Sequence, residues 1–65
     1  MHGKTGRVTG AIGPGLVGEV MVAARGGVEA FYAYAYVPGD EMRVGETVLV
    51  MEYEPPRNVR VAPMS

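Results

Sequence analysis

The sequence contains no cysteine, which excludes disulfide bonds and thiolate metal sites and suits a reducing compartment. Its one histidine, His2, sits beside Met1 at the amino terminus. One imidazole cannot build a metal site, and Met1-His2 reads equally well as native sequence or as a remnant of expression. Neither sign of charge is in excess, with six Lys/Arg facing seven Asp/Glu. Domains that neutralise phosphates usually carry a basic face. Here Lys4, Arg7, Arg25, Arg43, Arg57 and Arg60 are scattered, which lowers the nucleic-acid reading without removing it. No apolar run approaches the ~20 residues of a membrane helix, and no basic start followed by an apolar stretch marks a signal peptide. The chain as it stands is therefore expected to be soluble. Long helices are lacking too, because ten glycines and five prolines in 65 residues break the chain too often.

What remains is a pattern of five short β-rich segments: Arg7–Ile12, Val17–Ala24, Val28–Val37, Thr47–Glu54 and Asn58–Ala62. In the first, Val8, Gly10 and Ile12 alternate with Arg7, Thr9 and Ala11, the period of a half-buried strand, and Gly10 in mid-strand predicts a bend or bulge. Gly13-Pro14-Gly15 predicts a tight turn. Val20 and Val22 then face inward, with Glu19 and Met21 outward or at a rim. Arg25-Gly26-Gly27 closes a hairpin, since a Gly-Gly pair suits turns whose twist matches the strands.

The third segment places Phe31, Ala33, Ala35 and Val37 on a core face and Tyr32, Tyr34 and Tyr36 on the other. After Val37-Pro38-Gly39, a short helical turn is predicted at Asp40–Val44 with Asp40 as N-cap. Thr47–Glu54 carries apolar residues on both faces near its start and emerges into solvent at Glu52 and Glu54. Pro55-Pro56 cannot donate ladder hydrogen bonds and marks a loop. Val59 and Val61 point inward from the last strand, with Arg60 outward.

A chain this short buries only about 60% of the surface its unfolded form exposes, so a compact, closed architecture is expected. Five short antiparallel strands fit an all-β barrel, either OB-type or SH3-like, and a flat sheet of this size would leave edges exposed. The OB-type five-stranded barrel is favoured. Residues 1–5 form an entry, 6–62 the barrel and 63–65 a tail.

Chemistry is hard to assemble from these residues. General acid–base work needs titratable groups held close in a sheltered site. The candidate pairs Asp40/Glu41 and Glu52/Glu54 stand where strands meet turns and read as solvated charge. Thr5, Thr9 and Thr47 have no histidine near them in sequence to act as base. Gly13-Pro14-Gly15-Leu16-Val17-Gly18 imitates a GxGxxG string, but no helix follows it. Lys4 lacks the hairpin-tip, methionine-flanked setting of a carrier lysine. The chain is expected not to be an enzyme and to need no cofactor and no metal.

Tyr32, Tyr34 and Tyr36 are the one suggestive set: three rings on one strand face, ~7 Å apart. Packing over the barrel is their first explanation, because tyrosine covers apolar surface while keeping its hydroxyl wet. A protein interface comes second. Third is stacking on bases or sugars, which OB barrels perform around strands two and three.

The ordered motifs also resemble a family. Gly3-Lys4-Thr5-Gly6, the turn Gly13-Pro14-Gly15 with Val17 and Glu19-Val20, Phe31-Tyr32-Ala33, Val44-Gly45-Glu46-Thr47-Val48-Leu49-Val50 and Asn58-Val59-Arg60-Val61-Ala62-Pro63 resemble the C-terminal soluble domain of NfeD-like membrane proteins. The resemblance implies a five-stranded OB barrel serving as an interaction module. It also implies a parent protein with transmembrane helices ahead of it and a stomatin- or prohibitin-type membrane partner.

The sequence departs from the family at Glu54-Pro55-Pro56-Arg57, where a glycine turn is more usual, and in its richer tyrosine stripe. With no membrane segment of its own, the chain reads as an excised domain or a short stand-alone member. The expected interaction surface is Tyr32, Tyr34 and Tyr36, with Met21 and Arg60 contributing. Single-strand nucleic-acid binding through the same tyrosines is the alternative, and self-association is a further option.

Overall fold

The structure, a computed structural model, describes residues 3–24 and 26–64. Met1, His2, Arg25 and Ser65 lie outside the described residues, and with them the readings of the Met1-His2 start, of Arg25 in the hairpin turn and of Ser65 in the tail. Five strands form in chain order: β1 (Thr5–Gly10), β2 (Gly18–Ala24), β3 (Gly27–Ala35), β4 (Thr47–Glu54) and β5 (Asn58–Pro63). They close into a barrel in the order β1-β2-β3-β5-β4, with β4 returning to β1. All neighbours are antiparallel except β3 and β5, which run parallel. The expectation of uniformly antiparallel strands is corrected here by geometry. A ring with an odd number of strands cannot alternate direction all the way round, so one pair must be parallel.

Alternation sets the core. Val8, Val20, Val22, Phe31, Ala33, Val48, Val50, Val59 and Val61 point inward from the five strands, and no polar or charged side chain is buried among the described residues. Gly10 marks the predicted irregularity: the β1–β2 register shifts between Val8 and Gly10. The β2–β3 hairpin reverses between the paired residues Ala24 and Gly27, and Gly26 has φ +78°.

Between β1 and β2, the Leu16 N–H donates to the Gly13 carbonyl at 2.9 Å, with Pro14 and Gly15 at the corner. Gly15 has φ +74°. Proline followed by a positive-φ glycine is the type II pattern, which a side chain at the second corner would strain. Gly18, which opens β2, is forced for a different reason. A Cβ there would lie 2.6 Å from the Gly10 carbonyl oxygen and 2.8 Å from that of Ala11, and would run into the Ile12 side chain.

Two expectations after β3 fail. Val37 is 51% exposed rather than in the core. The strand ends at Ala35, and Pro38-Gly39 turn the chain away, the Asp40 N–H donating to the Val37 carbonyl at 3.1 Å. No helical turn forms at Asp40–Val44. Met42 instead exchanges both backbone hydrogen bonds with Ile12, each 2.9 Å, and both side chains are buried. Extended pairing uses the Met42 backbone on Ile12 and aims its side chain into the core, which a solvated helical turn would not do. The chain then reverses over Arg43–Glu46, where the Glu46 carboxylate accepts from the Arg43 N–H at 2.7 Å.

Candidate interaction surface

The strand period puts Tyr32 and Tyr34 on the outer face of β3. Tyr32 is 59% exposed and Tyr34 half-buried. Tyr36 lies just beyond the strand, exposed, with its N–H donated to the Val61 carbonyl at 2.8 Å. The parallel neighbour β5 brings Asn58 beside Tyr32 and Arg60 beside Tyr34.

The Arg60 guanidinium lies 5.7 Å from the Tyr34 ring centroid, a cation–π distance. Its Nε donates to Glu54 at 3.1 Å and stands 3.9 Å from Glu52. A register shift between Val50 and Glu52 brings both of these β4 carboxylates alongside Arg60. Arg60 is thus held by one ring and two carboxylates. Each ion pair is half exposed and contributes little on its own.

Met21 is half-buried and sits across β2, paired with Arg7 and Ala30. The structure therefore brings Tyr32, Tyr34 and Arg60 together. Met21 stands one row away on the neighbouring strand, and Tyr36 stands past the end of β3.

Two depressions flank this face, and the tyrosines divide between them. Tyr34 and Arg60 line a groove of about 550 Å³ whose other wall is the β1–β2 loop, with Pro14, Leu16 and Val17, and whose rim carries Pro38 and Asp40. Leu16 and Val17 are 57% and 58% exposed. Tyr32 lines a second depression of about 460 Å³ with Glu19, Val28, Phe31 and Arg57. There the Arg57 guanidinium lies 5.8 Å from the Phe31 centroid, and its Nη1 is 3.3 Å from both the Glu29 carboxylate and the Ala30 carbonyl. Phe31 also meets Tyr53 edge to face at 6.0 Å.

The Tyr53 hydroxyl donates to the Pro56 carbonyl at 3.1 Å. Among the described residues, the hydroxyls of Tyr32, Tyr34 and Tyr36 have no such protein acceptor. The sequence reading missed Leu16 and Val17 as surface residues. The signal was present, since two apolar residues directly after a Pro-Gly corner have left the turn but not yet joined a strand. Among the described residues, no group of three or more His, Cys, Asp or Glu side chains could share a metal ion.

The closed order of five strands, with one parallel pair and a helix-free crossover, defines a small OB-type barrel domain. The family relationship is equally direct. The model of the NfeD C-terminal domain matches residues 5–62, and the chain belongs to that family. The solution structure of the soluble domain of the NfeD protein YuaF from Bacillus subtilis superposes with a TM-score of 0.81 at 27% identity, covering 95% of this chain and 71% of that one. No curated protein sequence matches the chain significantly.

Proposed function

We propose that this domain is a non-enzymatic docking module that binds a stomatin- or prohibitin-type protein at a membrane, within a parent protein that carries the membrane helices. The partner class and the membrane setting follow from the family resemblance. Among the described residues, no helix is long and apolar enough to cross a bilayer. The observation that carries the docking reading is the Tyr34–Arg60 face, open to solvent beside a groove walled by the exposed Leu16 and Val17. Tyrosine and arginine anchors next to a depression are what protein interfaces favour.

Nucleic acid is the weaker reading of the same face. Its guanidinium groups are already engaged, Arg60 by Glu52 and Glu54 and the neighbouring Arg57 by Glu29, so among the described residues it offers no unpaired cation to a phosphate backbone.

The test is an amide NMR titration with the soluble domain of a stomatin-type protein from the same organism. Shifts concentrated on Leu16, Val17 and Tyr32–Tyr36, and lost in Tyr34→Ser, support docking. A titration with no shifts at high concentration, or with shifts on the opposite face around Arg7 and Thr47, refutes this surface.

A further inference from the structure

The groove between Tyr34 and the Leu16-Val17 loop has an apolar floor and an acidic surround. Asp40 stands on its rim and Arg60 on its wall. Arg60 is bracketed by Glu52 and Glu54, whose side chains remain about half exposed. One strand further, Glu19 pairs with Tyr32 in the β2–β3 ladder and accepts a hydrogen bond from the Thr9 hydroxyl at 2.9 Å. Among the described residues, Glu19, Glu29, Asp40, Glu52 and Glu54 border this face and its two depressions, against the guanidinium groups of Arg57 and Arg60. The near-neutral net charge of the whole molecule therefore conceals a locally negative aromatic surface. Arg60 offsets one of the two glutamates that engage it, and Arg57 offsets Glu29, which leaves the balance across the face negative.

Resting on the docking face proposed above, we infer that its occupant is a cationic apolar segment of the partner protein: an aliphatic or aromatic side chain seated in the groove, flanked by lysines or arginines facing Asp40, Glu52 and Glu54. Both parts follow from complementarity. Exposed aliphatic walls recognise an apolar anchor by burial. The excess of carboxylates over guanidinium groups around it attracts cations and rejects anions, which sets specificity and association rate more than affinity.

The test uses two short synthetic peptides. In one, leucine and phenylalanine alternate with lysine; in the other, glutamate replaces each lysine. Each is titrated into the ¹⁵N-labelled full chain. The lysine peptide is expected to shift the amides of Leu16, Val17, Tyr34 and Arg60. Its affinity should fall about tenfold or more when ionic strength rises from about 0.01 M to about 0.5 M, where screening is nearly complete. Glu52→Gln/Glu54→Gln and, separately, Asp40→Asn each weaken it by several-fold. These substitutions lie on the surface, and retained spectral dispersion shows that the fold survives.

Equal shifts from the glutamate peptide on the same amides overturn the charge assignment and leave the docking face standing. Silence from both peptides overturns the inference, while the stomatin-type titration decides separately whether the face docks at all. Shifts of the same amides by oligothymidylate overturn both.

Discussion

Gly18 shows how one missing side chain positions the candidate surface. The β1–β2 loop folds over the start of β2, and the carbonyls of Gly10 and Ala11 come closer to Gly18 than any Cβ tolerates. These neighbours are backbone held in a bulged strand end, so they cannot rotate aside as a flexible side chain could. Gly18→Ala is expected to destabilise the domain by about 1–3 kcal/mol through overpacking, read from the urea midpoint with an unchanged slope. It should also shift the amides of Leu16 and Val17, because the loop that carries them must lift. A loss within experimental error would show that the loop yields freely and that its position is not fixed by Gly18. Val44, by contrast, is 64% exposed, and Val44→Ala should change stability by no more than about 0.5 kcal/mol.

Among the elements, the segment from Pro38 to Glu46 is where local sequence and tertiary structure part. Asp40-Glu41-Met42-Arg43 is polar enough to suggest a solvated helical turn, and nothing within it reveals that Met42 will find Ile12. That pairing joins residues thirty positions apart and closes one end of the barrel. Met42→Ala is therefore expected to cost about 2–5 kcal/mol, the range for truncating a large buried side chain, with thermal unfolding as the readout. A cost below about 1 kcal/mol would mean that the barrel end collapses to fill the space. The strands themselves were legible because alternation is a local signal: Val8, Val20, Val22, Phe31, Ala33, Val59 and Val61 face inward as their spacing predicts. Val37 was misread because the period says which face a residue takes but not where the strand stops. The Pro38-Gly39 corner, visible in the sequence, was the better guide. The candidate surface was half legible. Tyr32 and Tyr34 followed from the period, and Arg60 from its place between two inward valines. The pairing of Arg60 with Tyr34 and with two glutamates depends on the parallel β3–β5 register and the β4 bulge, neither of which leaves a local mark.

For the whole molecule, closure is the source of cooperativity. β5 bridges the two halves of the chain, pairing in parallel with β3 and antiparallel with β4, and it contributes the fully buried Val59 and Val61. Without it, the β1–β2–β3 meander would be joined to β4 and the segment before it through β1 and its ends alone, from Gly3 to Val8 and at the Ile12–Met42 bridge. Edges would then open on β3 and β4, and Phe31, Ala33 and Val50 would face water. A domain this small has only a few kcal/mol in reserve, and the loss of two buried valines alone is of order 3–6 kcal/mol. A chain ending at Arg57 is therefore expected to be unfolded throughout, with collapsed amide dispersion, rather than to keep a folded meander beside a frayed end. Hydrogen exchange of the intact chain should agree, with the central amides of β2, β3 and β5 exchanging at a single, global free energy. If the shortened chain instead kept dispersed signals for Val20, Val22 and Phe31, the meander would be a folding unit of its own. The docking face would then be a seam between two units, not one surface of a single closed barrel.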